Sequence, residues 1–277
     1  MDAVLVDPLC ALFEEPADSD NLGLGVDPAW GSDAGCADHE GHHVHDYDLN
    51  VLSVPDEQNP FIAFGLRREC MSKKRGVFIV FEGIDGSGKS THVRLLFQKL
   101  QRRGFDALST AEPTRTSIGR LIRESIQTPS SQVPPEAEAL LFAADRLNHV
   151  KRLIEPALAA GRIVLSDRYV HSSLAYQGER GLNLEWIRSI NRFAPRADLS
   201  IYLDIPPEVG IKRMQRRKKT VFETLTLQQR IRELYLRFVE EGELLLINGN
   251  RTVTEVQQDI REAVFNLLKE KELTPSN

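Results

Sequence analysis

The chain has 277 residues, 41% of them apolar, enough for one large α/β domain or two small ones. No run of about 18 apolar residues occurs, which argues against a membrane span, and Cys10, Cys36 and Cys70 all precede Met71, which argues against a disulfide framework and fits a reducing, cytoplasmic setting. The net charge of −5 is uneven: residues 1–70 carry 15 acids against Arg67 and Arg68, while the remainder holds 33 basic and 25 acidic residues, a balance that suits an anionic small substrate as well as nucleic acid.

Residues 1–70 read as an acidic N-terminal extension. They are rich in Asp, Gly and Pro and show no sustained helical or strand period, which predicts a mostly disordered segment. The first residues lack the basic start and clean apolar core of a secretory signal. Four of the seven histidines, His39, His42, His43 and His45, fall together here. A zinc or nickel site is one reading; a polar tract that meets metal only incidentally is favoured, because no second ligand cluster follows. Met71 is an alternative start, since Ser72-Lys73-Lys74-Arg75 reads like the beginning of a compact domain spanning 71–277.

The organising stretch is Val77 to Thr91. An apolar, β-rich run, Val77 to Phe81, leads into Gly83-Ile84-Asp85-Gly86-Ser87-Gly88-Lys89-Ser90, which fits the G-x4-G-K-S/T phosphate-binding loop residue for residue. Small residues let backbone N–H groups curl around phosphate oxygens, and the following helix aims its positive end at the same anion. Lys89 adds a mobile cation, and the Ser90 hydroxyl suits a magnesium ion. An amphipathic helix follows, with Val93, Leu96, Phe97 and Leu100 inward and Gly104 as its stop. An ordinary glycine-rich turn would lack this strand-before, helix-after context, so the loop predicts binding of a nucleoside triphosphate.

Beyond it, Asp106–Ala111 reads as a second strand ended by Pro113, and 117–126 as a helix. Residues 128–135 read as a loop, and a long helix runs from Pro135 toward Val150, with further turns from Pro156 to Gly161. Strands are expected at 163–165, running into Ser166-Asp167-Arg168, at 199–203 ending at Asp204, and at 244–247. Helices are expected near 183–193, 207–217, 224–241 and 254–270. Alternating strands and helices imply a five-stranded parallel sheet flanked by helices. Ligands then sit at the carboxyl ends of the strands, where Gly83, Glu112, Asp167 and Asp204 fall. No Asn-Lys-x-Asp base reader follows a later strand, which speaks against a GTPase. The cations Arg115, Arg146, Arg168, Arg213, Arg216 and Arg217 suit two anionic substrates meeting at one site, where phosphoryl transfer needs positioning and charge stabilisation.

Several motifs now stand in order: Phe81 to Ser90, Glu112-Pro113, Leu141-Phe142-Ala143-Ala144-Asp145-Arg146, Asp167-Arg168-Tyr169, Ser172 to Gly178, and Tyr202-Leu203-Asp204. Together they resemble the thymidylate kinase family, which transfers the γ-phosphoryl of ATP to dTMP, and the resemblance covers about residues 74–270. It implies a P-loop NTPase fold with a mobile lid, ATP with magnesium as donor, dTMP as acceptor, and a homodimer packed through helices. It implies that Gly83 to Thr91 holds ATP, that Asp85 meets the sugar 3′-hydroxyl, and that Arg115 and Arg168 grip the monophosphate through planar guanidinium groups. Phe142 would stack on the thymine and Arg146, one turn on, would contact the base edge, although an aromatic on a helix is ordinarily core. Ser173 falls near the pyrimidine N3, Tyr176 near the 2′ position, and Gln177 is a further base contact. Asp167 would join Ser90 at magnesium, its plain alternative being a turn cap.

Residues 213–223 resemble the lid. Some family members carry an arginine directly after the loop acid; Gly86 stands there, so Arg216 or Arg217 is expected to supply the catalytic cation, with Arg213 as support. Lys219-Thr220-Val221-Phe222-Glu223 departs from the acid-and-arginine pattern that many bacterial members show before this glutamate. Another nucleoside monophosphate or deoxynucleoside kinase on the same fold is the nearest alternative, and a non-catalytic ATP-binding regulator is a more distant one. Nucleic-acid binding is not expected, because no aromatic-interleaved basic platform stands out.

Overall fold

The computed structural model describes residues 74–127, 133–214 and 224–275. The expected acidic extension with its histidine cluster, and Arg216 and Arg217 with the following lid residues to Glu223, lie outside the described residues. Five strands, β1 (Phe78–Glu82), β2 (Ala107–Ala111), β3 (Ile163–Asp167), β4 (Leu199–Asp204) and β5 (Leu245–Asn248), form one parallel sheet in the order β2-β3-β1-β4-β5. The P-loop strand is central, with Phe81 opposite Asp167 on one side and Ile201 on the other.

Both faces of the inner strands are covered, which is why β1 and β3 read as apolar runs. Ile79 and Phe81 pack into a core with α1 (Lys89–Arg102) and α9 (Val253–Glu270), through Val93, Leu96, Leu100, Val256 and Ile260. Phe78 and Val80 face the opposite core, with Val150, Ile154, Leu158 and Tyr169. Helix α1 ends at Gly104 (φ 80), where the N–H of Gly104 donates to Gln101 O and that of Phe105 to Leu100 O. The other helices are α2 (Ser117–Gln127), α3 (Pro135–His149), α4 (Glu155–Ala159), α5 (Val170–Glu179), α6 (Leu184–Ile190), α7 (Pro207–Met214) and α8 (Leu225–Glu240).

Two elements differ from the sequence reading. The helix expected to stop near Val150 continues through a π-helical turn, Val150–Ile154, directly into α4, and the Glu155 N–H donates to Val150 O. A widened turn lets the helix run on past Pro156, whose ring would crowd the carbonyl four residues back. Helix α5 is absent from the pattern reading altogether. Ser172, Ser173, Leu174, Ala175, Tyr176 and Gln177 are all buried, so the segment has no polar face from which a period of 3.6 could be read. Among the described residues no helix is long and apolar enough to cross a membrane.

Candidate active site

The carboxyl ends of β1 and β3 and the first turn of α1 enclose a cleft of about 730 Å³, lined by Asp85 to His92, Glu112, Asp167, Arg168, Arg213, Gly249 and Arg251. Buried Lys89 turns back onto its own loop, donating to Gly83 O and Ile84 O at 2.9 Å each and to Ser87 Oγ at 3.3 Å. Burial, with the Arg168 guanidinium nearby, lowers this ammonium from 10.5 to about 8. Ser90 Oγ donates to Asp167 Oδ2, so the first hydroxyl of α1 and the carboxylate closing β3 meet.

Arg168 follows with φ 75, a left-handed conformation that a residue with a side chain rarely adopts. Its N–H donates to Phe81 O at 2.9 Å, and Ser166 Oγ donates to its carbonyl at 2.8 Å. This turn swings the guanidinium under the P-loop. Nη2 donates to Asp85 Oδ1 at 2.5 Å and to the Tyr176 hydroxyl at 3.3 Å, while Nη1 reaches Gly83 O and Ser172 Oγ at 3.3 and 3.2 Å. Burial pushes the Tyr176 phenol upward, so it remains a hydroxyl.

Gly86 leaves no room for a side chain. At φ 80, a Cβ there would lie 2.4 Å from Gly210 O in α7, and a Cβ on Gly210 would lie equally close to Asp85 O. The loop tip and α7 therefore pack backbone against backbone, and α7 carries Arg213, whose Nη1 makes a long 3.3 Å contact with Gly86 O.

The residues expected around a base lie between α3 and α5. Arg146, 1% exposed, donates to Glu112 Oε2 (2.8 Å), Asn191 Oδ1 (2.6 Å), Tyr169 O (2.9 Å) and Ser173 Oγ (3.0 Å). Four of its five N–H groups are thus engaged within the protein, and it holds Ser173 in place. Phe142 is half-buried and belongs to none of the three described core clusters. Gln177 Nε2 donates to Glu138 Oε1 at 3.0 Å, and Arg180 fixes the other oxygen of Glu138 at 2.7 Å. The Gln177 Oε1 atom is buried without a partner among the described residues.

Arg115 stands apart from Arg168. It is exposed on the rim of a second cavity of about 1130 Å³, which also carries Arg94, Arg123 and Arg152 and meets the first cleft at Ser90, Ala111 and Asp167. Its loop is held from α3: Asp145 accepts from the Thr114 N–H (2.7 Å), Thr114 Oγ1 (2.5 Å) and Thr116 Oγ1 (3.0 Å). Glu112 bridges Arg146 and His149 Nδ1 (3.0 Å), and His149 Nε2 bonds Thr110 Oγ1 at 2.7 Å.

Sequence reasoning assigned no part to Asp145, His149, Gln228 or Arg232. Gln228 is fully buried and accepts from the Asp85 N–H at 3.1 Å. Arg232 grips Asp204 with both arms, at 2.7 and 2.8 Å. Asp145 and His149 lie with Arg146 in the last turns of α3 and carry a usable signal, three buried polar residues within five positions. Gln228 and Arg232 carry none, because their partners are more than a hundred and only about thirty residues away respectively, with no local motif marking either.

A strand-ending glycine loop, a hydroxyl–carboxylate pair and an acid–arginine pair occupy one strand-end cleft. The family model described as thymidylate kinase matches residues 81–260. A probable thymidylate kinase of Pyrococcus abyssi is 50% identical over 193 residues, covering 67% of this chain and 94% of that protein. One from Thermococcus gammatolerans is 45% identical over 195 residues (67% and 94%), and the thymidylate kinase of Halothermothrix orenii is 37% identical over 204 residues (70% and 99%). The match spans the P-loop, Glu112, Asp167, Asp204 and α8, so the chain belongs to the thymidylate kinase family.

Proposed function

We propose that this protein transfers the γ-phosphoryl group of ATP to dTMP, giving dTDP and ADP for dTTP synthesis. The observation that supports this reading is the Asp85–Arg168 pair at 2.5 Å, in which the arginine that follows β3 meets the acid of the donor loop. The Gly83–Thr91 loop binds the ATP phosphates through its N–H groups. Lys89 exchanges a carbonyl of its own loop for phosphate oxygen. Arg168 shares its fork between Asp85 and the acceptor phosphate, and Asp85 accepts from the sugar hydroxyl.

Magnesium fits the donor set. Among the described residues no cluster of three His, Cys, Asp or Glu side chains forms a protein cage, but Ser90 and Asp167 supply hard oxygens of the kind that hold this ion together with phosphate and water. When bound, the ion neutralises phosphate charge. On the acceptor side, Phe142 outside the cores is available to stack on thymine, Arg146 fixes Ser173 at the pyrimidine edge, and the free Gln177 Oε1 suits an imide N–H. Tyr176 fills the space at the 2′ position, which favours deoxyribose. Arg216 or Arg217 supplies the transition-state cation, since Gly86 has no space for an arginine.

Association as a homodimer is supported by an exposed apolar stripe on α3, Leu140, Ala144 and Leu147, with Leu121 on α2 exposed as well. A cytoplasmic location follows from the substrates and from the reducing setting that the cysteine distribution suggests.

A coupled assay of dTMP-dependent ATP consumption, run on the full chain and on a variant starting at Met71, tests the activity. dTMP should be preferred over dUMP, dCMP, AMP and thymidine; nucleotide binding without dTDP formation would leave the regulator reading instead. Combined Arg216→Ala and Arg217→Ala should lower turnover by roughly 10³–10⁵ with little change in dTMP affinity. Near wild-type turnover in that variant would remove the lid arginines from the mechanism.

A further inference from the structure

Glu82 is the last residue of β1, directly before the P-loop, and it is 0% exposed. A buried carboxylate is retained only where donors replace water around it. Here four do. Oε1 accepts from the N–H groups of Tyr169 (2.9 Å) and Ser172 (3.2 Å), and Oε2 accepts from Ser172 Oγ (2.6 Å) and the Tyr235 hydroxyl (3.0 Å). Two of these donors are N–H groups at the entry of α5, where a negative charge is favoured, and the Ser172 N–H is shared between Glu82 and the Tyr169 carbonyl at 3.1 Å.

The same bonds reach Arg168 from both ends. The Tyr169 N–H belongs to the peptide that closes the left-handed turn at Arg168, and Ser172 Oγ is the group that the Arg168 Nη1 touches at 3.2 Å. A strained backbone persists only where its surroundings over-determine it. We propose that Glu82 is a positioning residue for recognition of the acceptor's phosphate: it locks the Arg168 turn and, through Ser172, the direction of its guanidinium. Because Glu82 also ends the strand from which the P-loop springs, donor loop and acceptor cation are held to one another by a single side chain. This rests on Arg168 gripping the monophosphate, as proposed above.

The test compares two ligands that differ only in that phosphate. Affinities of the full chain for dTMP and for thymidine are measured by calorimetry in wild type, Glu82→Gln, Arg168→Met and the double variant, with thermal melting alongside. In Glu82→Gln the amide oxygen keeps the two N–H bonds, while the charge beside Ser172 is lost. The preference for dTMP over thymidine should fall roughly tenfold, the size of one misdirected charged hydrogen bond, with thymidine affinity nearly unchanged. Arg168→Met should fall further, and the double variant should be no worse than Arg168→Met. If Arg168→Met keeps the wild-type preference, the phosphate assignment of Arg168 fails and takes this inference with it. If Arg168→Met loses the preference while Glu82→Gln keeps it, or weakens both ligands equally, only the role of Glu82 is overturned. Should Glu82→Gln not fold, Ser172→Ala cuts the same link to the guanidinium, and an unchanged preference there is the overturning result.

Discussion

Lys89 carries two opposed demands. It must be cationic to meet phosphate, yet it is buried beside Arg168, and both lower its pKa to about 8. Between about pH 8 and 10.5 the unfolded chain holds a proton that the folded one has released, so the penalty of burying this charge is full below pH 8 and fades as pH rises through that window. ATP affinity should run the other way. The free protein gives up the ammonium as pH passes about 8, so the Kd for ATP should rise across that region. Titrating ATP binding against pH checks this, and in Lys89→Met the inflection should vanish; an inflection that survives belongs to another group. The 2.5 Å Asp85–Arg168 contact predicts a second effect: Asp85→Asn should weaken dTMP more than ATP, because it frees Arg168 from its orientation but leaves the loop's N–H groups intact.

At the scale of elements, α3 and α7 hold the two loops that shape the cleft. Asp145 and Arg146, adjacent on α3, hold the segment Glu112 to Thr116 at both ends. Asp145→Ala leaves three donors without their buried acceptor and should lower stability by about 2–4 kcal/mol. Urea unfolding measures the loss, and faster amide exchange over residues 112–119 should accompany it. The contact between α7 and the P-loop separates two causes of strain. Gly86→Ala meets both a left-handed φ and the Gly210 carbonyl, whereas Gly210→Ala meets Asp85 O at the same 2.4 Å and Ile205 Cδ1 at 3.3 Å without the left-handed φ. Both should weaken ATP binding. Gly86→Ala should also lose an additional ~1–2 kcal/mol of stability from its backbone conformation, read as the difference between the two unfolding curves.

Over the whole molecule, the sheet order places β1 between β3 and β4, so the P-loop, the Ser166-Asp167-Arg168 segment and Asp204 arrive together at one edge. Away from that edge, an apolar stripe on α3 is exposed among the described residues. Leu140 and Leu147 are 50% and 41% exposed, and Leu121 on α2 is 50% exposed. If the proposed homodimer forms through this stripe, Leu140→Glu with Leu147→Glu should convert dimers to monomers in sedimentation velocity, because a charge desolvated at such a face opposes association. An unchanged sedimentation coefficient would assign the stripe no part in assembly.

What the sequence determined alone was local and periodic. The P-loop was legible because its function lies in consecutive backbone groups, and β1, β3 and β4 because strands buried on both faces are continuous apolar runs. Helix α1 showed its stripe and its glycine stop. Helix α5 stayed hidden because burial on all sides erases amphipathic contrast, and the π-turn because its cause, Pro156, reads locally as a break. The tertiary structure decided the partnerships. Glu82 finds its donors on residues 169, 172 and 235, Asp85 finds Gln228 as well as Arg168, and Arg146 turns inward to Glu112 and Asn191. A buried polar side chain needs a partner, but its own sequence neighbourhood does not say which; only the chain path through the sheet brings that partner within hydrogen-bond reach.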